Sequence, residues 1–398
     1  MPSKSFRWTV LALISLSHII AASAQYGINT FAPFYQHDLS LSRAQVGLFF
    51  TAFYLGMAGL SLFAGWLADR MGVCATILTG HLFLGICTMA AAMAPSFGWV
   101  FASFFFAGLG YSFLNPASTK GVMVWFPRYE RATAMGIKQT GVPAGGVLIA
   151  LIGAPLVLSI GWRSALAGFG AANLIFGLLF WPLWSEPETE QETRKPDPLP
   201  QRGQGALNYK SLLTLSCGTA LLLVGQMSLL TYAPLFLKET LEFSPYQASQ
   251  ALAVIQIGAM SGRIGWGVMS DHIFRGRRKD VLVLIGGLSV ALTFNLSILS
   301  PATSPTFLIL LLFLAGFCLI GYQGVSYSLL GEMAGQAKTG TALGLMITIN
   351  SVGTVLGTPL FGYVVDLTGS YPIAWRALSG TILLGTLVFA LLVKESKQ

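Results

Sequence analysis

The chain has 398 residues, 54% of them apolar and only 10% charged, with a mean hydropathy of +0.69. A soluble domain carries about 25% charged residues, so this chain lacks the polar surface that a water-soluble fold needs. A cytosolic enzyme, a disordered protein and a nucleic-acid module are excluded despite the net charge of +8, which leaves a polytopic, all-α membrane protein.

A membrane helix needs about 20 mostly apolar residues. Breaks at charged and Pro/Gly-rich positions predict twelve spans, at 8–35, 43–68, 73–94, 98–126, 132–158, 163–184, 209–237, 245–270, 281–299, 305–330, 339–365 and 371–393. Membrane β-strands would instead show alternating segments of about ten residues. In the first span, Lys4 and Arg7 followed by an apolar run and Ala22-Ser23-Ala24 imitate a cleavable signal peptide. The apolar sequence continues to Phe34, long enough to span, and an even number of spans divides into two similar halves. Cys74, Cys87, Cys217 and Cys318 show no paired or metal-like spacing and read as packing residues. No metal, cofactor or nucleic-acid partner is expected.

Lys/Arg placement sets the orientation. With the N-terminus in the cytoplasm, Lys4, Arg7, Arg70, Arg128, Arg131, Arg194, Lys195, Arg202, Lys210, Arg275, Arg277, Arg278, Lys279, Lys338, Lys394 and Lys397 fall inside, 16 of the 23 basic residues; Arg43, Arg163, Lys238 and Arg376 fall outside. Both termini are therefore expected to be cytoplasmic, in a bacterial inner (plasma) membrane. The net positive charge is mostly this orientation signal.

Residues 185–208, charged and aliphatic-poor, read as a solvated cytoplasmic linker. They divide the chain into a six-helix bundle over 1–184 and a second over 209–398. The halves resemble each other. Gly65-Trp66-Leu67-Ala68-Asp69-Arg70 after the second span is answered by Gly267-Val268-Met269-Ser270-Asp271-His272 after the eighth. Arg131 to Gly136 opens the fifth span as Thr339 to Gly344 opens the eleventh, Gly153-Ala154-Pro155-Leu156 returns as Gly357-Thr358-Pro359-Leu360, and Trp162-Arg163 returns as Trp375-Arg376. Four matches in the same order imply a duplication. An even number of spans per half makes the repeat parallel, with a pseudo-twofold along the membrane normal, an architecture that binds substrate near the midplane.

The stretch Gly65 to Gly72 resembles the loop 2–3 signature of the major facilitator superfamily, and the weaker copy ending at Asp271, with the basic run Arg275 to Lys279, matches the second copy in that family. The resemblance covers the whole chain and implies a secondary transporter working by alternating access, of an organic-anion, monocarboxylate or oxalate-type branch. One departure is that Val73 and Cys74 stand where the family usually has basic residues. The resemblance implies a conformational latch of Gly65, Asp69, Arg70, Arg131, Asp271 and Lys338. Gly65 permits close helix approach; Asp69 is expected to pair with Arg131 and cap a neighbouring helix, and Asp271 to pair with Lys338, holding the outward-open state. The alternative is an Asp that merely caps a tight turn.

Three cations, Lys120, Lys138 and Arg263, fall inside spans, whereas no Asp or Glu does; Glu332 and Asp366 sit at span ends. A buried charge costs at least a few kcal/mol and is a functional suspect by default. The missing counter-charge points to an anionic, carboxylate-like substrate. Lys120 and Lys138 lie nine residues either side of Tyr129, at similar depth, about 10 Å from the end of the span. The competing reading is that these long side chains snorkel to the interface or cap helix ends. Arg263, in the run Arg263-Ile264-Gly265-Trp266-Gly267, looks like the arginine that binds the carboxylate on the eighth helix of the monocarboxylate and oxalate-type carriers.

Polar and aromatic residues that complete a pocket are Gln25, Tyr26 and Asn29 on the first span, Tyr111 and Asn115 on the fourth, Gln139 on the fifth, Gln226 and Tyr232 on the seventh, Gln256 on the eighth, Tyr322, Gln323 and Tyr327 on the tenth, and Asn350 on the eleventh. Each is as well explained by helix–helix hydrogen bonding. Gly136 to Gly146, with Pro143, partly resembles the fifth-helix motif of antiporters, yet small residues at a helix contact suffice to explain it. The arginine of antiporters before a glycine of the fourth span is replaced by Phe105, ahead of Gly108.

The leading expectation is transport of a small organic anion by a monomer in the lipid bilayer, coupled to anion exchange or to a proton bound elsewhere. The alternative is export of neutral or hydrophobic compounds. A membrane sensor needs an output domain, whereas the longest loop has about 24 residues. An intramembrane enzyme needs a catalytic cluster, whereas His18, His37, His81 and His272 show no pairing motif.

Overall fold

The structure is a computed structural model that describes residues 6–184 and 209–393. The linker 185–208 and the basic residues Lys4, Arg194, Lys195, Arg202, Lys394 and Lys397 lie outside the described residues. The helices are α1 (Phe6–Thr30), α2 (Ala32–Asp38), α3 (Arg43–Ala92), α4 (Phe97–Ser112), α5 (Leu114–Trp125), α6 (Arg131–Ile160), α7 (Trp162–Leu183), α8 (Tyr209–Thr240), α9 (Pro245–Val268), α10 (Arg278–Leu296), α11 (Pro305–Leu319), α12 (Gln323–Ala334), α13 (Thr339–Thr368) and α14 (Tyr371–Leu391).

Among the described residues eleven stretches are long and apolar enough to cross a bilayer, and one of them, Leu48–Ala92, has 45 residues. A straight helix of that length would measure about 68 Å, twice the hydrocarbon thickness of about 30 Å. Gly72 divides it: its φ of 82° and ψ of 172° are non-helical and suit a residue without a Cβ. The break falls where the sequence separates the second span from the third, so α3 is two crossings and the spans number twelve. Two other spans are interrupted rather than divided. The fourth consists of α4 and α5, joined at Phe113, and the tenth of α11 and α12, joined through Ile320 to Tyr322. Pro116, in the first turn of α5, has no N–H to continue the ladder of α4.

The chain forms two compact units. The first holds 1–127, 138–208 and 334–345, and the second holds 128–137, 209–333 and 346–398. The opening turns of α6 thus pack with the second unit, and the opening turns of α13 with the first. In the first unit α3 packs along α4 and α7; in the second, α9 packs on α11, and α14 on α8 and α10.

The repeated Trp-Arg pairs occupy matching places in the two cores. Trp162 lies edge-on to Tyr35 at 5.1 Å, and Tyr35 in turn meets Phe49 at 5.9 Å and Phe104 at 6.4 Å. In the second unit Trp375 lies 4.7 Å from Phe361 and 5.9 Å from Phe236. The following arginines tie helix ends together: Arg163 donates to Asp38 and to the Ala94 carbonyl, and Arg376 to Ser297 Oγ. The Arg163 guanidinium, aided by Trp162 Nε1 at 3.1 Å, holds the Asp38 carboxyl below its ordinary value of 3.8. Large apolar side chains such as Leu151, Leu158, Leu179, Val355 and Leu384 are exposed, as a lipid-facing surface requires.

Candidate functional site

The two signature aspartates perform the same task in different units. Asp69, in the last turn before Gly72, accepts from Gly340 N at 2.9 Å, Thr341 N at 2.7 Å and Thr341 Oγ1 at 2.7 Å, which caps the N-terminus of α13. Asp271 lies in a π-helical turn, Met269–Ile273, that continues α9, and accepts from Ala132 N at 3.4 Å, Thr133 N at 2.7 Å and Thr133 Oγ1 at 2.7 Å at the start of α6. Each carboxylate thus takes up the orphan N–H groups and positive end of a helix. Close backbone approach accompanies both caps. A Cβ on Gly65 would overlap the Gly340 carbonyl, and one on Gly267 the Ala132 carbonyl.

The expected partners need correcting. Asp69 is bound to the start of α13 and to Lys120, while Arg131 belongs to the second unit; Asp271 is bound to the start of α6 and to Arg278, while Lys338 is exposed and belongs to the first. Each sequence half caps a helix of the other half, so pairing by proximity within one half fails. Arg70 is exposed and stacks on Trp66, 4.5 Å from its ring centroid.

Lys120 does not lack a counter-charge. Its Nζ donates to the Ala68 and Asp69 carbonyls at 3.0 Å each and lies 3.6 Å from Asp69 Oδ1. It therefore caps the C-terminal turn before Gly72, where a cation complements the helix end. Arg278, which the sequence places in a loop, is fully buried. It pairs with Asp271 at 2.5 Å and with Glu332 at 3.3 Å, and donates to Ser270 Oγ at 2.8 Å and to the Arg128 carbonyl at 2.6 Å. Arg128 Nε adds a contact to Glu332 at 3.4 Å. The only sequence signal for this network was the run Arg275 to Lys279, which offers four basic residues and no means of choosing among them.

Lys138 is completely buried in the first unit. Its Nζ donates to Asn115 Oδ1 and Thr119 Oγ1 at 2.7 Å each, and to the Asn115 carbonyl at 3.4 Å. Asn115 stands in the first turn of α5, just past the break in the fourth span, and interrupted helices of this kind line transporter sites. The described acidic residues of this unit are Asp38 and Asp69, both at helix ends. Gln25, also buried here, donates to the Tyr54 hydroxyl at 2.8 Å; Tyr54 sits in a continuous apolar run and gave no sequence signal. Tyr26 packs against the face of Gly146, Tyr111 lies edge-on to Phe53 at 5.5 Å, and Gln139 is buried. The side chain of Asn29 lies outside what the structure describes.

In the second unit Arg263 is 6% exposed, and its own carbonyl lies where a Cβ on Gly136 would fall. Tyr322, buried in the same unit, donates to the Thr219 carbonyl at 3.4 Å. Thr219 Oγ1 donates to Asn350 Oδ1 at 3.0 Å, and Gln323 Nε2 to Gln226 Oε1 at 3.5 Å. Tyr327 is buried, Gln256 half-buried, and Tyr232 stacks on Phe361 at 4.7 Å.

Twelve spans, a Gly-Asp turn repeated in both halves and two crossed helix caps define a transporter architecture. The family model of the Major Facilitator Superfamily matches residues 14–279 and 266–398, and the chain belongs to that superfamily. It is an integral membrane transporter, with small molecules as its cargo, and not an enzyme. Among named relatives, the probable sulfoacetate transporter of Cupriavidus necator is 27% identical, over 95% of this chain and 91% of that one. The hexuronate transporter of Bacillus subtilis is 25% identical, over 96% and 92%. Among solved structures, the Escherichia coli fucose:proton symporter FucP in its outward conformation has a TM-score of 0.77 at 19% identity, covering 97% of this chain and 99% of that one, a likeness of fold.

Proposed function

We propose that the protein carries a small organic anion, a carboxylate or sulfonate, across a bacterial inner membrane by alternating access, as a monomer with both termini cytoplasmic. The observation that carries this reading is Lys138: a fully buried lysine gripped by an amide oxygen and a hydroxyl beside an interrupted helix. An amide oxygen and a hydroxyl orient the ammonium, and among the described residues of its unit the acids, Asp38 and Asp69, are at helix ends beside Arg163 and Lys120. Arg263 with Tyr322 supplies a buried cation and a hydroxyl in the second unit. The sulfoacetate and hexuronate relatives carry organic acids, which supports the same class here. The crossed aspartate caps act as latches, closed when the helix ends they join are packed and opened once per cycle.

The test is exchange of labelled sulfoacetate and glucuronate by purified protein in proteoliposomes. Lys138→Ala and Arg263→Ala are each expected to lower exchange at least tenfold. Normal exchange in both variants would overturn the anion site. Uptake of neutral or hydrophobic compounds with no anion exchange would favour the exporter reading.

A further inference from the structure

A recess of about 540 Å³ opens on the membrane-facing surface of the second unit, with α8 as its floor and α13 and α14 as its walls. Ligand pockets measure about 300–1,000 Å³. Small residues make the hollow. A Cβ on Gly353 would overlap the Ala220 carbonyl and one on Gly357 would meet Val224, so α13 lies directly on α8, while Ala374 and Ala377 leave the α14 wall bare. The lip is formed by Val352, Leu356 and Leu360, each more than half exposed. Of the lining residues only Cys217 and Thr381 carry a side-chain heteroatom, and Thr381 Oγ1 donates back to the Ala377 carbonyl at 3.2 Å. Water finds too few partners in such a hollow, whereas hydrocarbon restores the dispersion contacts that its walls lack.

The recess has the depth of one leaflet. Ile349 lies about 15 Å along α13 from its start at Thr339, and Thr381 about 15 Å along α14 from Tyr371, both near the middle of a hydrocarbon layer of about 30 Å. Val364 lies about 6 Å from the other end of α13 at Thr368, the end away from the Asp69 cap. The mouth at that end is charged. The α8 face that carries Val224 returns about four turns later at Lys238 and Glu239, both exposed. Tyr371, one turn before Ala374, donates to Glu239 Oε2 at 2.9 Å. Asp366, also exposed, follows one turn after Gly362, whose Cβ would meet the Tyr232 hydroxyl. Arg376 leans away, onto Ser297 Oγ at 3.3 Å. Two carboxylates, one lysine and tyrosine hydroxyls therefore stand above an apolar slot.

We propose that this recess holds one acyl chain of a phospholipid whose head group carries a primary ammonium, as phosphatidylethanolamine does. The chain lies between α13 and α14, over the lip of Val352, Leu356 and Leu360 and down to Cys217 and Ala220. The ammonium sits among the Glu239 and Asp366 carboxylates, where its hydrogen bonds are charge-assisted, and Lys238, beside Glu239, meets the phosphate. An anionic head group without an ammonium finds the same slot for its chain and the same lysine, but two carboxylates oppose it. The site is independent of the anion reading, since none of its lining residues is among those assigned to the anion.

The test is native mass spectrometry of the full-length protein in detergent, titrated with phosphatidylethanolamine or with phosphatidylglycerol of the same chain length. Wild type is expected to hold the ethanolamine lipid at a concentration at least fivefold lower than the glycerol lipid. Ala377→Phe fills the recess from α14 and is expected to weaken ethanolamine-lipid binding at least tenfold. Leu384→Phe, at an exposed position of the same helix outside the recess, is expected to leave it unchanged. Glu239→Gln combined with Asp366→Asn is expected to bring the two lipids within twofold of each other. Equal binding of both lipids by wild type, or binding by Ala377→Phe within twofold of wild type, would overturn the proposal. Cys217 gives a reading that needs no variant, because it lines the recess and is exposed. The ethanolamine lipid is expected to slow its alkylation by N-ethylmaleimide at least fivefold relative to Cys87 on α3; an unchanged ratio of the two rates would also sink the site.

Discussion

The two aspartate caps use the same three bonds and differ in what stands behind them. Asp69 and Asp271 each take two backbone N–H groups and a threonine hydroxyl, with hydroxyl distances of 2.7 Å in both. Behind Asp69 stands one lysine, 3.6 Å away, the two side chains 13% and 9% exposed. Behind Asp271 stands a sealed cluster in which Arg278 and Asp271 are both 0% exposed, extended through Glu332 to Arg128. A duplicated backbone device thus has a light counterweight in one unit and a heavy one in the other.

The difference is tested most sharply at the cations. Arg278→Met would leave the buried Asp271 carboxylate without its cation and is expected to cost about 3–5 kcal/mol. Lys120→Met removes a partly hydrated partner and is expected to cost about 1–2 kcal/mol. Unfolding of the detergent-solubilised proteins measures both, and equal losses would break the contrast. The shared part of the device makes the opposite prediction. Thr133→Val and Thr341→Val each remove one hydroxyl bond and are expected to cost about 1 kcal/mol apiece, as neutral hydrogen bonds do. Unequal losses would show that the caps are not equivalent.

The smallest effect is expected at Asp38, an exposed carboxylate beside the start of α7. Its pKa is depressed by Arg163, so it contributes stability above its unfolded value of 3.8, and that contribution is lost as the pH falls through the lower folded value. Exposure and salt screen the pair strongly. Melting of wild type and Asp38→Asn should differ slightly at pH 7, less at high salt, and not at all at the acid end. A gap that widened in acid would contradict the assignment.

Span positions were legible because a bilayer imposes a length and a composition on each crossing. Even the turn at Gly72 lay where the sequence put a boundary. Asp69 was expected to cap a neighbouring helix and does, because a short acid in a Gly-rich turn has few other uses; Asp271 was expected only to pair with Lys338, and its cap on α6 was not foreseen. Their partners were not. Which helix end an aspartate meets depends on how segments far apart in sequence come together, and here the partners are exchanged between the halves. Lys120 and Lys138 are symmetric about Tyr129 in sequence, yet one reaches back to the carbonyls before Gly72 and the other stays in the interior between Asn115 and Thr119. Periodicity gives depth, whereas side-chain direction is settled by the neighbouring helix. Arg278 was misplaced for a related reason: a basic run marks an orientation but does not say which of its members turns inward.

The exchange of caps also bears on what either half could do alone. A six-span half carries an aspartate and a helix end, but the aspartate is placed for the helix end of the other half. Made alone, either half would present an uncapped helix and an unclaimed carboxylate, and only a second six-span chain would satisfy both.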